Sequence, residues 1–224
     1  MSGGVRSDLL QEIANKLFAA VLSDTLDMLG HTHQVLPSSI RPLDDASIMV
    51  GRARTALYMD VYALPKPGED PYALEIALID SLKPGEIPVF SCGKTGRVAP
   101  WGELLSTAAK VRGASGALMD GLVRDVTAIR RSGFPVFHGG IGPLDSKGRA
   151  KVMALDVPIE VAGVPVASGD LVFGDADGVV VVPKAIEADV IERAFDKLKG
   201  EKDTLTELKR GTSLRAVFDK YGVL

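Results

Sequence analysis

Between Asp8 and Val21, apolar residues recur on one helical face (Leu9, Leu10, Ile13, Leu17, Val21), while Asp8, Glu12 and Lys16 fall on the other. That spacing predicts an amphipathic helix with Ser7 as its N-cap. A second, shorter helix is expected from near Ser23, carrying Thr25, Leu26 and Leu29 and stopped by Gly30. His31 and His33 need further ligands to hold a metal and read as part of an exposed loop. The β-branched, partly alternating run Ser47–Met59 predicts a strand with Arg52 and Arg54 facing out. A proline-punctuated loop at Leu64–Gly68 leads to a helical stretch, Pro71–Leu82, and the turn Lys83–Glu86 delivers the strand Ile87–Cys92. A helix then opens at Gly102, with Leu104, Ala108 and Val111 as its apolar stripe, and ends near Gly113. Strand Gly116–Met119, a helix from near Asp125 to Gly133 packing Val126 and Ile129, and strand Phe134–His138 follow.

After Gly139–Pro143 the pattern changes to consecutive short β runs at Lys151–Leu155, Ile159–Val161, Leu171–Phe173 and Val179–Val182. Ala162-Gly163, Ser168-Gly169-Asp170 and Asp177-Gly178 punctuate them as turns. The expectation is a second β layer within the same domain. Asp175-Ala176-Asp177-Gly178 starts like a calcium loop but lacks the later glutamate at the required spacing, so it reads as a turn. A long charged helix, Ala185–Leu208, then closes the domain or reaches a neighbouring subunit.

Composition narrows the function. With 46% hydrophobic and 25% charged residues among 224, one compact domain is expected. The net charge of -3 and dispersed basic residues argue against a nucleic-acid surface. No stretch is apolar enough for a secretory signal or a membrane span, so a cytoplasmic location is expected, and the single Cys92 reads as a small core residue. Gly93-Lys94-Thr95-Gly96-Arg97 lacks the spacing of a phosphate loop, and no strand-to-helix Gly-x-Gly turn supports a methyltransferase.

The chemistry concentrates between Gly102 and Asp125, where two strand ends meet two helix starts, the place where α/β proteins bind ligands. Free N–H groups of Leu104 and Leu105 at a helix start can bind a carboxylate. Arg124 offers a charged fork for a carboxylate or enolate oxygen. Asp125 and Glu103 offer hard oxygens to Mg²⁺ or Mn²⁺, which would polarise a 2-oxo group. The same residues also read as plain structure: Asp125 as a helix cap, Glu103 as a dipole partner, Arg124 as the mate of either, and Asp120 as a turn former or a supporting carboxylate. Spacing alone does not choose between them.

Four segments taken together resemble the RraA-like family, which holds both the regulators of ribonuclease activity A and the class II 4-hydroxy-4-methyl-2-oxoglutarate/4-carboxy-4-hydroxy-2-oxoadipate aldolases. They are Gly102-Glu103-Leu104-Leu105, Gly121-Leu122-Val123-Arg124-Asp125, Gly133-Phe134-Pro135-Val136-Phe137, and Gly169-Asp170 with Asp175 through Pro183. An acid, twenty residues and then Arg-Asp marks the aldolase branch, and Glu103 with Arg124-Asp125 keeps that spacing. The resemblance implies an α/β/β sandwich of the swivelling-domain type with helical extensions at 1–30 and 185–224, the latter at a subunit contact of a trimer or hexamer. It implies that Asp125 binds Mg²⁺ or Mn²⁺, Glu103 holds metal-bound water, Arg124 binds substrate oxygen and the 102–105 turn grips the pyruvyl carboxylate. It further implies a glutamate from a neighbouring subunit's C-terminal region, for which Glu201 is the candidate.

The expected activity is therefore retro-aldol cleavage of a small 2-oxo acid, with oxaloacetate decarboxylation through the same pyruvate enolate. Where the aldolase pattern carries a further acid, this chain has Ala128, which bears on the aldol substrate more than on the metal. His138 either lines the pocket or is structural. The competing expectations are a non-catalytic regulator that binds a ribonuclease, and a lyase or hydro-lyase acting on a sugar-derived oxo-acid.

Overall fold

Two helices, α1 (Gly3–Lys16) and α2 (Ala19–Met28), open the chain in the computed structural model, which describes residues 3–93 and 96–222. The helical pattern from Leu9 to Val21 is interrupted at Phe18, whose backbone is extended (φ -144°, ψ 161°). The break is fixed from afar: the carboxylate of Asp175 accepts the Ala19 N–H at 2.9 Å, satisfying a helix-start donor across 156 residues. Helix α2 therefore starts at Ala19 rather than near Ser23, and α1 runs through Ser7 instead of being capped by it. Gly30, at φ +83°, ends α2 as expected, and the histidines after it lie in a loop.

Strands β1 (Arg41–Pro42) and β2 (Met49–Asp60) come next, followed by α3 (Ala73–Ser81), β3 (Glu86–Ser91), α4 (Glu103–Val111), β4 (Ala117–Met119), β5 (Leu122–Val123), α5 (Val126–Ser132), β6 (Val136–His138) and β7 (Gly140–Ile141). The all-β stretch contains β8 (Ala150–Leu155), β9 (Ile159–Val161), β10 (Val164–Val166), β11 (Leu171–Asp175) and β12 (Gly178–Val182), and α6 (Glu187–Lys209) and α7 (Leu214–Tyr221) complete the chain. Lys94 and Thr95, in the rejected phosphate loop, lie outside the described residues.

The main sheet has the order β1-β6-β4-β3-β2-β11-β12, with β8 also paired to β2. Pairs from β2 through β3 and β4 to β6 are parallel, and the rest are antiparallel. Strand β2 is the seam: β3 occupies one edge, while β11 pairs with Met49–Arg52 and β8 with Ala56–Asp60 along the other, the β8 register shifting at Leu57/Tyr58. Strands β8, β11 and β12 thus extend this sheet, and the β9–β10 hairpin and the short parallel pair β5–β7 stand apart from it. Val35 bridges to Val180 on β12, and the chain runs from there into β1 at the sheet's other end, so the sheet nearly closes on itself.

Period-two alternation explains the layers. Met49, Ala53, Ile87, Val89, Leu118, Phe137, Val179 and Val181 face inward onto Ile159, Val161, Val164 and Val166 of the hairpin. Their neighbours face outward: Val50, Phe173, Val180 and Val182 under α1, α2 and α6, and Phe90, Met119 and Val136 under α3 to α5. Helices, sheet and hairpin make the α/β/β order. Arg52 and Arg54 emerge at its margin as half-buried ion pairs with Glu187 and with Asp156 and Glu86. Among the described residues no helix is long and apolar enough to cross a membrane.

Candidate active site

Trp101 and Val123 lie side by side in a parallel bridge, and the Arg124 N–H donates to the Trp101 carbonyl at 2.9 Å. Two strand ends are thereby fastened together at the points where α4 and α5 begin. The buried Trp101 ring donates its Nε1–H to Ser106 Oγ at 2.7 Å, which pins the first turn of α4. Gly102 is the N-cap of α4, in extended backbone that any residue can adopt; its need for glycine is steric. A Cβ there would stand 2.6 Å from Asp125 Oδ2 and 3.2 Å from Arg124 Cγ.

Asp125 caps α5 in the left-handed region, at φ 58° and ψ 32°, a conformation aspartate tolerates better than most residues. Its side chain makes no cap within α5; Oδ2 instead accepts the Glu103 N–H of α4 at 3.2 Å. Helix geometry leaves the Leu104 and Leu105 N–H groups without intrahelical acceptors beside it. Arg124 reaches the other way, its Nη2 3.2 Å from Asp145 Oδ1, and Asp145 Oδ2 also accepts the Tyr72 hydroxyl at 2.6 Å.

These groups border a cavity of about 320 Å³ lined by Tyr72, Glu75, Ile76, Pro100, Gly102, Leu104, Leu105, Arg124, Asp125, Asp145 and Ser146. Burial raises the Asp145 carboxyl, but the Tyr72 hydroxyl, backbone N–H groups and Arg124 outweigh it and leave its pKa below the ordinary value. Burial and the Asp145 partner push Tyr72 up to about 12. At the back of the cavity Glu75 is 7% exposed, and its Oε2 accepts the Tyr58 hydroxyl at 2.6 Å. Burial, opposed in part by that hydrogen bond, raises the Glu75 pKa to about 7.

Of the residues singled out from sequence, Gly102, Leu104, Leu105, Arg124 and Asp125 all line this cavity, with Glu103 exposed next to it. Glu201 lies on α6, 3.5 Å from Lys197 and outside the cavity lining of its own chain. His138 is buried away from the lining with Nδ1 unpartnered, and burial lowers its pKa. Asp120 ties structure together: its oxygens accept the Cys92 N–H at 2.5 Å and the Ala162 N–H at 3.1 Å. Cys92 is a buried core thiol whose pKa burial raises strongly. The stripe expected on α4 is corrected: Leu104 and Val111 are 82% and 81% exposed, while Ser106 and Ala109 are buried.

Tyr72, Glu75 and Asp145 join the cavity beyond what the sequence pattern marks. Glu75 had a legible signal, since it shares the buried face of α3 with Leu78 and Ile79, where a carboxylate is out of place. Asp145 lies in a loop with no local pattern to mark it.

Among the described residues no three His, Cys, Asp or Glu side chains cluster as a metal cage. The donor set is nonetheless one that Mg²⁺ or Mn²⁺ uses: such ions keep most of their water and take one or two carboxylates from the protein. Asp125, half-exposed, and Glu103, beside it, are of that kind.

A helix N-terminus, an arginine and several carboxylates around one cavity can together hold a small anionic ligand. The chain belongs to the RraA-like family: the family model described as Aldolase/RraA matches residues 19–181. It is 34% identical over 176 residues to a protein of Halalkalibacterium halodurans provisionally named a 4-hydroxy-4-methyl-2-oxoglutarate aldolase, covering 79% of this chain and 77% of that one. Protein DlpA of Legionella pneumophila is 29% identical over 96% of this chain, which spans only 34% of DlpA. The Streptomyces coelicolor structure described as RraAS2, an unusual member of the RNase ES inhibitor RraA family, superposes with a TM-score of 0.77 at 27% identity, covering 88% of this chain and 95% of that one.

Proposed function

We propose that this protein is a divalent-metal-dependent carbon–carbon lyase that cleaves a small 2-oxo acid to pyruvate, by retro-aldol cleavage or by decarboxylation of oxaloacetate. The observation that carries the proposal is the contact of Gly102 with Arg124-Asp125, which sets a helix N-terminus, a guanidinium and a free-edged carboxylate on one small cavity. The Leu104 and Leu105 N–H groups hold the substrate carboxylate at the positive end of α4. Arg124, oriented by Asp145, has N–H groups to spare for the oxygen on which charge develops as the bond breaks. Asp125, with Glu103 through water, would hold Mg²⁺ or Mn²⁺, which when bound supplies Lewis acidity toward the 2-oxo oxygen. Leu104, Leu105, Ile76 and Pro100 exclude water from one wall. The assembly belongs to the same proposal: a trimer or hexamer in which a neighbouring subunit brings its Glu201 to the cavity.

A second reading is supported by Ala128, which stands where aldolases carry an acid, and by the likeness to an RNase ES inhibitor family member. In it the protein binds and restrains a ribonuclease, with exposed Leu104 and Val111 suited to a protein contact. Pyruvate release from oxaloacetate separates the two. The lyase requires Mg²⁺- or Mn²⁺-dependent turnover that a chelator abolishes. Asp125→Asn, which tolerates the left-handed backbone and still accepts the Glu103 N–H, and Arg124→Ala should each lower turnover by about 10³-fold or more with an unchanged circular dichroism spectrum. Wild-type turnover in both variants would remove the assignment.

A further inference from the structure

The cavity has a further titratable wall besides the α4 N-terminus. Glu75 reaches it from α3, buried, with one oxygen held by the Tyr58 hydroxyl at 2.6 Å and no arginine or lysine in ion-pairing range among the described residues. Burying a carboxyl without a cation is costly, and a purely structural role for it would be met as well by a glutamine. We propose that Glu75 is the general acid of the site, delivering the proton to the substrate carbon once the carbon–carbon bond has broken; this rests on the lyase reading above.

The step balances within the site. The electron pair of the breaking bond becomes the enolate of pyruvate. The O–H bond of Glu75 then breaks, its proton forms the new C–H bond at the enolate carbon, and its electron pair remains as a carboxylate. Glu75 recovers a proton from water or from the hydroxyl that an aldol substrate gives up, so no further reactant is needed.

The charged and titratable neighbours are Tyr58 from β2, Tyr72 ahead of α3, Cys92 after β3, Arg124 after β5 and Asp145 after β7. Burial is the largest influence, Tyr58 and Arg124 oppose it and Asp145 adds to it, and the balance leaves the carboxyl half-protonated near pH 7. General acids work best with a pKa close to the working pH. Of the other two acids on the cavity, Asp145 is lowered by Tyr72, backbone N–H groups and Arg124, so Glu75 and Asp145 are pushed apart in the way that divides acid from base.

The test is hydrogen–deuterium exchange at the pyruvate methyl group, followed by proton NMR in D₂O with the full chain and Mg²⁺ or Mn²⁺, alongside oxaloacetate decarboxylation. Wild type should exchange the methyl protons in a chelator-sensitive way, with a pH profile that breaks near 7. Glu75→Gln should lower exchange by about 10²-fold or more and lose that break, while pyruvate still binds as a competitive inhibitor. Glu75→Asp should recover part of the rate. Tyr58→Phe removes the donor that stabilises the Glu75 carboxylate, so the break should move to higher pH. Wild-type exchange and an intact profile in a folded Glu75→Gln protein overturn the proposal and leave the lyase reading standing. If Glu75→Gln does not fold, an unmoved break in Tyr58→Phe overturns it. A wild type that neither exchanges pyruvate nor decarboxylates oxaloacetate with either metal overturns both.

Discussion

Two groups of acids in this fold use their carboxylate oxygens differently. Asp120, Asp170 and Asp175 each spend both carboxylate oxygens on backbone N–H groups: Asp120 on Cys92 and Ala162, Asp170 on Ala167 and Lys184, Asp175 on Ala19 and Asp177. Every one of these stitches a turn to a distant element. At the cavity, Asp125 gives one oxygen to the Glu103 N–H, and Glu75 gives one to a hydroxyl. Asp145, also on the cavity, spends both oxygens too, but on the Arg124 guanidinium, the Tyr72 hydroxyl and the Lys147 N–H, so it orients side chains there, whereas Asp125 and Glu75 each keep one oxygen without a partner among the described residues. A carboxylate with an unspent oxygen next to a cavity is the better marker of chemistry than an acidic residue as such.

The division can be broken by substitution. The largest effect on stability should come from Asp120→Ala, which leaves two N–H groups unpaired in partly buried positions; about 3 kcal/mol should be lost in urea denaturation, with turnover per folded molecule kept. A loss of turnover with little loss of stability would place Asp120 among the working acids.

Glu75→Gln sharpens the contrast through pH. Its carboxyl is raised in the folded state to about 7, so folding favours the protonated form. The native protein is therefore most stable, as far as this group is concerned, below the ordinary glutamate pKa. That stability falls as pH rises through the window up to about 7 and stays low above it. Glutamine abolishes the penalty, so the variant's stability relative to wild type should rise by about 2–3 kcal/mol from pH 5 to pH 9, most of it below about pH 7, read from urea midpoints at each pH. A cavity acid would then show itself as a group whose removal stabilises the fold while slowing the reaction.

Gly102→Ala tests the geometry itself. The added methyl would displace Asp125 Oδ2, so turnover should drop roughly tenfold, with the metal concentration needed for half-activity raised. The smallest effect should come from Asp175→Ala, which uncaps α2: about 1 kcal/mol of stability, seen as faster amide exchange at the start of that helix.

Much of the fold is legible in the sequence. Helices α3, α4 and α5 and the parallel strands between them follow from local signals: glycine stops at Gly113 and Gly133, the proline-glycine turn at Pro84-Gly85, and short apolar runs. That Gly102 and Arg124-Asp125 come together on one cavity is legible because both lie at strand-to-helix reversals. What escaped was set by distant partners. The start of α2 depends on Asp175, and the buried face of α4 on which side meets the sheet. The joining of β8 and β11 to β2 depends on pairing across some of the longest separations in the chain. Asp145 enters the site only because Tyr72 and Arg124 converge on it.

Strand β2 carries a consequence for how the protein is made. Its partner β3 emerges from the ribosome soon after it, but β8 and β11, which cover its other edge, come much later. Until then a nascent chain displays a long, apolar, unpaired strand, the kind of surface that recruits chaperones or aggregates. Slow translation or truncation between Asp60 and Leu171 should therefore harm yield far more than the same interruption after Val182.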